Sequence, residues 1–147
     1  MKKEGLVQAV KKDFVKKGIK PEWIHDENGC DIKLYIPNTK GIGYQIITAA
    51  SKEKIPICLK ENDEPGWYVT TTADIILFFY TPSKYYKIRY DDLTQWATTN
   101  YDLLERNKSD SRTLYLLKVK TTSKDLEYVG ETFRYVERKF KVMECEL

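Results

Sequence analysis

Asp74-Ile-Ile-Leu-Phe-Phe-Tyr80 is the stretch on which the fold turns. After one acid it is unbroken apolar and aromatic side chains, closed off by Thr81-Pro-Ser-Lys84. A short run of that kind reads as a strand buried on both faces, which requires layers on both sides of its sheet. Downstream, Tyr85 to Tyr90 alternates as a return strand, and Asp91 and Asp92 suit the positive end of a short helix carrying Leu93, Trp96 and Ala97 inward. Upstream, Glu61 to Gly66 is a loop and Ile55 to Lys60 a short strand. Ile42 to Thr48 is another strand, setting Tyr44 and Ile46 against Gln45 and Ile47. Before it, past the Pro37 to Gly41 turn, Cys30 to Ile36 places Ile32, Leu34 and Ile36 on one side and Asp31, Lys33 and Tyr35 on the other. Asn28-Gly29 is a hairpin dipeptide, and Glu22 to His25 is the short strand that it returns from.

The ends of the chain carry helical spacing. Leu6, Val10 and Phe14 recur every four residues with lysines on the other side, and Gly18 followed by Pro21 marks the stop. Near the other end, Leu126, Val129, Phe133, Val136 and Phe140 form an apolar stripe behind Thr122 and Asp125, which resemble a capping box. That stripe packs on the core or forms the seam of a homodimer. Between them lie a strand, Leu114 to Val119, and a mobile loop, Asn107 to Ser111. This order predicts one α/β domain over residues 1–147, a sandwich with a central mixed β-sheet flanked by helices.

Composition narrows the function classes. Hydrophobic residues make up 41% of the 147, and the longest apolar run is well short of the roughly 20 residues that cross a bilayer. No apolar segment follows the basic start, so neither secretion nor a membrane partner is expected, and the cytoplasm is the expected location. Cys30, Cys58 and Cys145 are widely spaced and His25 is the lone histidine, which argues against zinc and against a disulfide framework. The net charge of +3 is uneven. Residues 1–20 hold seven lysines against Glu4 and Asp13, a local charge of +5 that leaves −2 for the remainder. Attraction to phosphate would therefore lean on the first helix, through Lys11, Lys12, Lys16 and Lys17; a solvated lysine face explains the same pattern. A smaller basic and aromatic group, Lys84, Tyr85, Tyr86, Lys87 and Arg89, follows the buried strand.

There is no Gly-rich phosphate loop and no Ser-His-Asp pattern. One constellation remains: a helix, a hairpin, an acid opening a strand, then a strand with polar positions two apart. Residues two apart share a face and neighbouring strands lie about 4.8 Å apart, so strands can gather carboxylates and a lysine around magnesium and a scissile phosphate.

On Gly29-Cys-Asp-Ile-Lys-Leu-Tyr35, Gly43-Tyr-Gln-Ile-Ile-Thr48 and Gly66 to Phe79 with its Thr-x-Ala-Asp, the chain resembles the PD-(D/E)XK, restriction-endonuclease-like nuclease superfamily. The small members carried by phages and mobile elements are the nearest in kind, and the resemblance spans Lys2 to Ala97. It implies Asp31 as the metal-binding aspartate and Gln45 at the acid position of the E-x-K pair. Ile47 stands where the lysine of that pair would be, a departure that implies weak or lost cleavage. Lys33, on the strand face of Asp31, is a candidate relocated lysine, and Glu4 or Glu22 a candidate further carboxylate. The resemblance thus implies a nuclease-like domain that binds DNA or RNA, with magnesium if it is active. The alternative is a non-enzymatic phage or mobile-element factor that binds a host protein.

Overall fold

Helix α1 (Lys3–Lys16) buries Leu6 and Val10 as their four-residue spacing predicts, with Phe14 packed half-buried below them. Its end is closed by two hydrogen bonds, Gly18 N to Val15 O at 3.0 Å and Ile19 N to Phe14 O at 2.9 Å. Together they form a Schellman cap, which needs a left-handed residue after the helix; Gly18, at φ 99°, provides it without a Cβ penalty. The cap turns Ile19 back onto the apolar cluster that holds Phe14.

In this computed structural model, residues 1–49, 52, 54–99, 105–108, 112–122, 125–128 and 142–147 are described. A 3₁₀ turn (Pro21–Trp23) leads into β1 (Ile24–His25), β2 (Ile32–Leu34), β3 (Ile42–Thr48), β4 (Lys54–Glu61) and β5 (Glu64–Pro65). Helix α2 (Trp67–Thr70), β6 (Ile75–Phe79), β7 (Lys84–Arg89) and helix α3 (Tyr90–Thr99) follow. Last come β8 (Glu105–Lys108), β9 (Arg112–Thr122), β10 (Asp125–Tyr128) and β11 (Val142–Glu146).

The central sheet runs β1-β2-β3-β6-β7-β11 and continues through β10, β9, β4 and β5, with β8 paired to β9. It is mixed: β3 and β6 are parallel, and the other pairings among the described residues are antiparallel. The α/β class with a central mixed sheet is therefore as expected. Strand β6 is buried on both faces, with Ile76, Phe78 and Phe79 at 0% exposure and Leu77 at 2%. Each such side chain contributes about 1.5–3 kcal/mol relative to an exposed one. One face of the sheet, bearing Ile32, Tyr44, Ile46, Leu77, Phe79 and Tyr85, is covered by α1. On the other face Ile76, Phe78, Tyr86 and Ile88 are buried, and the Trp67 ring of α2 lies 5.7 Å from Phe78.

Three expectations are corrected. Asp125 to Tyr128 is a strand, not the first turn of a helix: Thr122 and Asp125 are cross-strand partners in a β9–β10 hairpin rather than a capping box. Asp-Leu-Glu-Tyr satisfies period two as well as it satisfies a helical stripe, and the neighbouring strand decides between them. The rest of that proposed helix and dimer seam, residues 129–141, lies outside the described residues. Asn107 and Lys108 belong to β8 rather than to a loop, because a polar strand whose one partner among the described residues is β9 needs no apolar face; the rest of that expected loop, residues 109–111, lies outside the described residues. Finally, Glu64 and Pro65 form a short strand that hairpins back onto Lys60 and Glu61 through Asn62 and Asp63, both at positive φ, as a primed two-residue turn requires.

Among the described residues no helix is long and apolar enough to cross a membrane.

Candidate functional site

Asp31 and Gln45 do converge. The β2–β3 register pairs Ile32 with Tyr44, which puts the next residues outward, Asp31 and Gln45, side by side on the face opposite α1. Asp31 Oδ2 accepts from Gln45 Nε2 at 3.0 Å and from the backbone N–H of Ile46 at 2.7 Å. The ammonium of Lys3, reaching over from the start of α1, lies 3.1 Å from the same oxygen. On the far side, the Thr71 hydroxyl donates to Gln45 Oε1 at 3.0 Å and accepts from the Ala73 N–H at 3.2 Å. Gln45 is only 7% exposed.

This network fixes what the pair can do. Turning the Gln45 amide over would set its oxygen against the Asp31 carboxylate, acceptor against acceptor, so the observed orientation is the favourable one. Gln45 therefore shows Asp31 a donor, not a metal-ligating oxygen. The Asp31 oxygen nearest to it already takes three donors, one of them a cation. Magnesium calls for several oxygen ligands with carboxylate charge, and among the described residues no group of three His, Cys, Asp or Glu is placed to hold a metal. The donor set does not fit a magnesium ion.

Lys33, the candidate relocated lysine, is turned elsewhere. Its ammonium pairs with Glu27 at 3.1 Å and lies 5.5 Å from the Tyr35 ring centre, and its stem crosses Gly41. Glu27 also accepts the Tyr35 hydroxyl proton; that hydrogen bond, then Lys33, holds the Glu27 carboxyl below the usual range. Glu27 in turn raises Lys33. Glu22 sits exposed in the 3₁₀ turn, where its backbone carbonyl meets His25 Nε2 at 2.9 Å. Among the described residues no contact joins its carboxylate to Asp31. Glu4 is exposed in the first turn of α1. Asp74 stitches β6 to β3, accepting from Gly43 N at 2.8 Å while its own N–H donates to Gly43 O at 2.9 Å.

Lys3 and Thr71 are the two members of this network that the sequence reading did not single out. Both sat in patterns already noted, Lys3 in the lysine row of α1 and Thr71 in Thr-x-Ala-Asp. Only the docking of α1 over β2 shows which lysine reaches the acid.

The basic residues sort differently from their order in the chain. Lys11 is paired with Asp26 at 2.6 Å, and Lys17 with Asp13 at 2.6 Å. Lys12 and Lys16, one helical turn apart, have no ion pair among the described residues, and neither do Lys87 and Arg89. Pairing of Lys87 with Leu77 and of Arg89 with Ile75 puts both cations on the face that α1 covers; Lys84 points the other way. Burial pushes the Cys145 thiol up, and Lys87 and Lys17 both oppose that shift, so the end of α1 and strand β7 bring their charges around one side chain. Tyr85 and Tyr86, at 7% and 0% exposure, are core residues and not stacking platforms.

Comparison with protein-family models, with curated proteins and with solved structures returned no match for this chain.

Proposed function

We propose that the chain is a non-cleaving nucleic-acid-binding module, a nuclease-like α/β plan whose catalytic corner has become a structural tie. The observation that carries the reading is the distribution of cations that have no ion pair among the described residues: Lys12 and Lys16 on α1, with Lys87 and Arg89 on the sheet face that α1 covers. Cations with no ion pair among the described residues are open to phosphate and release its counterions on binding. Lys3 on Asp31 and the inward-turned Gln45 amide support the loss of cleavage.

The test is the salt dependence of binding to a fluorescein-labelled 20-nucleotide single strand, read by fluorescence anisotropy. Four phosphate contacts give a slope of about −2.8 in log K against log salt, a loss of roughly 50-fold between 50 and 200 mM. Removing Lys12 and Lys16 together should halve that slope. A salt-independent affinity, or no binding to DNA or RNA at 50 mM salt, would defeat the reading and leave the host-protein alternative.

A further inference from the structure

The face of the sheet that α1 covers is left open at one end, and the open end is hollow. Ile42, Ile75 and Met143 form its apolar floor, with Met143 51% exposed, and the hollow measures about 580 Å³. Clefts of about 300–1,000 Å³ are the usual size for small-molecule sites. Around that floor the lining carries three cations, Lys40 from the β2–β3 turn with Lys87 and Arg89 of β7. Asp91 and Asp92, in the first turn of α3 directly after Arg89, add two carboxylates. Among the described residues no ion pair joins these cations to these acids. Asp74, at the edge of the same hollow, spends one oxygen on Gly43 N.

The lining narrows the ligand by chemistry. A carboxylate accepts hydrogen bonds and offers none, so Asp91 and Asp92 repel phosphate and attract hydroxyl or amino donors. Lys40, Lys87 and Arg89 attract an anion. An occupant that engages both sets of side chains carries an anionic group, hydroxyl or amino donors, and a weakly polar part for the apolar floor.

We infer that the hollow seats one nucleotide unit, its phosphate on Lys40, Lys87 and Arg89, its base over Ile42, Ile75 and Met143, and its ribose hydroxyls on Asp91 and Asp92. The inference rests on the nucleic-acid reading and adds to it a position, a single-stranded substrate and a preference for ribose over deoxyribose. Duplex DNA, with phosphate along both flanks and no 2′-hydroxyl, meets the two acids with repulsion.

The experiment is a ¹⁵N-HSQC titration of the full chain with 5′-AMP, 5′-dAMP, inorganic phosphate and a Lys-Ala-Glu tripeptide. AMP is expected to shift the amides of Gly41, Ile42, Ile75 and Met143, and to bind at least threefold tighter than dAMP and tenfold tighter than phosphate. Arg89→Ala should weaken AMP tenfold or more. The double variant Asp91→Asn with Asp92→Asn should erase the preference for AMP over dAMP. Lys40→Ala, outside every strand, repeats the affinity test without touching the sheet. Shifts confined to α1, equal binding of AMP and phosphate, stronger binding by the tripeptide, or a double Asn variant that gains equally for AMP and dAMP would each overturn the assignment. The Lys12 and Lys16 variant separates the two readings: it should weaken the 20-nucleotide strand and leave AMP unchanged. Strand binding without groove shifts removes the nucleotide seat alone, whereas AMP binding without strand binding removes the nucleic-acid module and keeps the seat.

Discussion

Replacing Asp31 by alanine should destabilise the fold, and the sign of that change separates a structural tie from a catalytic acid. Side chains kept for chemistry are commonly held at a cost to stability, so their removal is neutral or stabilising. Here the carboxylate holds the N–H of Ile46, a residue at 0% exposure, and the amide of Gln45, at 7%. Asp31→Ala strands both donors, and an unsatisfied buried donor costs roughly 1–3 kcal/mol. Water can enter where the Asp31 side chain is 18% exposed, which offsets part of the loss and leaves a net cost of about 3 kcal/mol. Asp31→Asn keeps an acceptor for Ile46 and should cost about 1 kcal/mol. Lys3→Ala removes an ion pair whose lysine is 46% exposed and should cost well under 1 kcal/mol, about the worth of a surface pair. Urea denaturation followed by circular dichroism reads the order: Asp31→Ala worst, then Asp31→Asn, then Lys3→Ala. An Asp31→Ala protein with a midpoint equal to or above wild type, at unchanged denaturant slope, would mean that Asp31 is not a structural tie.

Further tests bear on other parts of the molecule. Glu144 accepts the Tyr80 hydroxyl proton at 2.6 Å and pairs with Lys52 at 3.1 Å; these hold its carboxyl below the ordinary value of 4.5. A depressed folded-state pKa gives stability that is present above 4.5 and lost as pH falls through the lower value, so Glu144→Gln should flatten the acid limb of a stability–pH curve measured in urea. Tyr80 moves the other way, raised by burial and by Glu144, so Tyr80→Phe should lessen the loss of stability above pH 10. Gly66→Ala would place a Cβ 2.4 Å from the Cys58 carbonyl oxygen, with backbone on both sides of the clash. A cost of about 1–3 kcal/mol in thermal or urea unfolding is expected. At Gly18 there is open space but φ is 99°, so alanine there should cost only about 1 kcal/mol, from the strained backbone.

How far the fold could be read from the chain depended on how local each signal was. Asp74 to Tyr80 and the Leu6, Val10, Phe14 spacing were legible because long apolar patterns allow one period. Asp125 to Tyr128 was misread because four alternating residues fit both periods and only the β9 and β11 partners select the strand. Helix α2 is a single turn with no periodicity to detect; it exists where Gly66 lets the chain pass close to Cys58, and the Gly66 carbonyl accepts from Val69 and Thr70. Within the site, Asp31 and Gln45 were brought together by the family resemblance, and it is the β2–β3 register that sets them side by side. That Lys3 rather than Lys33 meets the acid did not, since it depends on where α1 lies over the sheet and on Glu27 claiming Lys33. The basic group after the buried strand divides by the same alternation: Lys87 and Arg89 on one face, Lys84 on the other, and the two adjacent tyrosines packed inward on both sides because β7 lies between β6 and β11.

The most direct test holds a labelled 20-nucleotide single strand with saturating protein in 5 mM-scale magnesium or manganese, following anisotropy and strand length in the same sample. A non-cleaving module leaves the strand bound throughout and recovered intact. Metal-dependent shortening of the strand, abolished by Asp31→Asn, would contradict it.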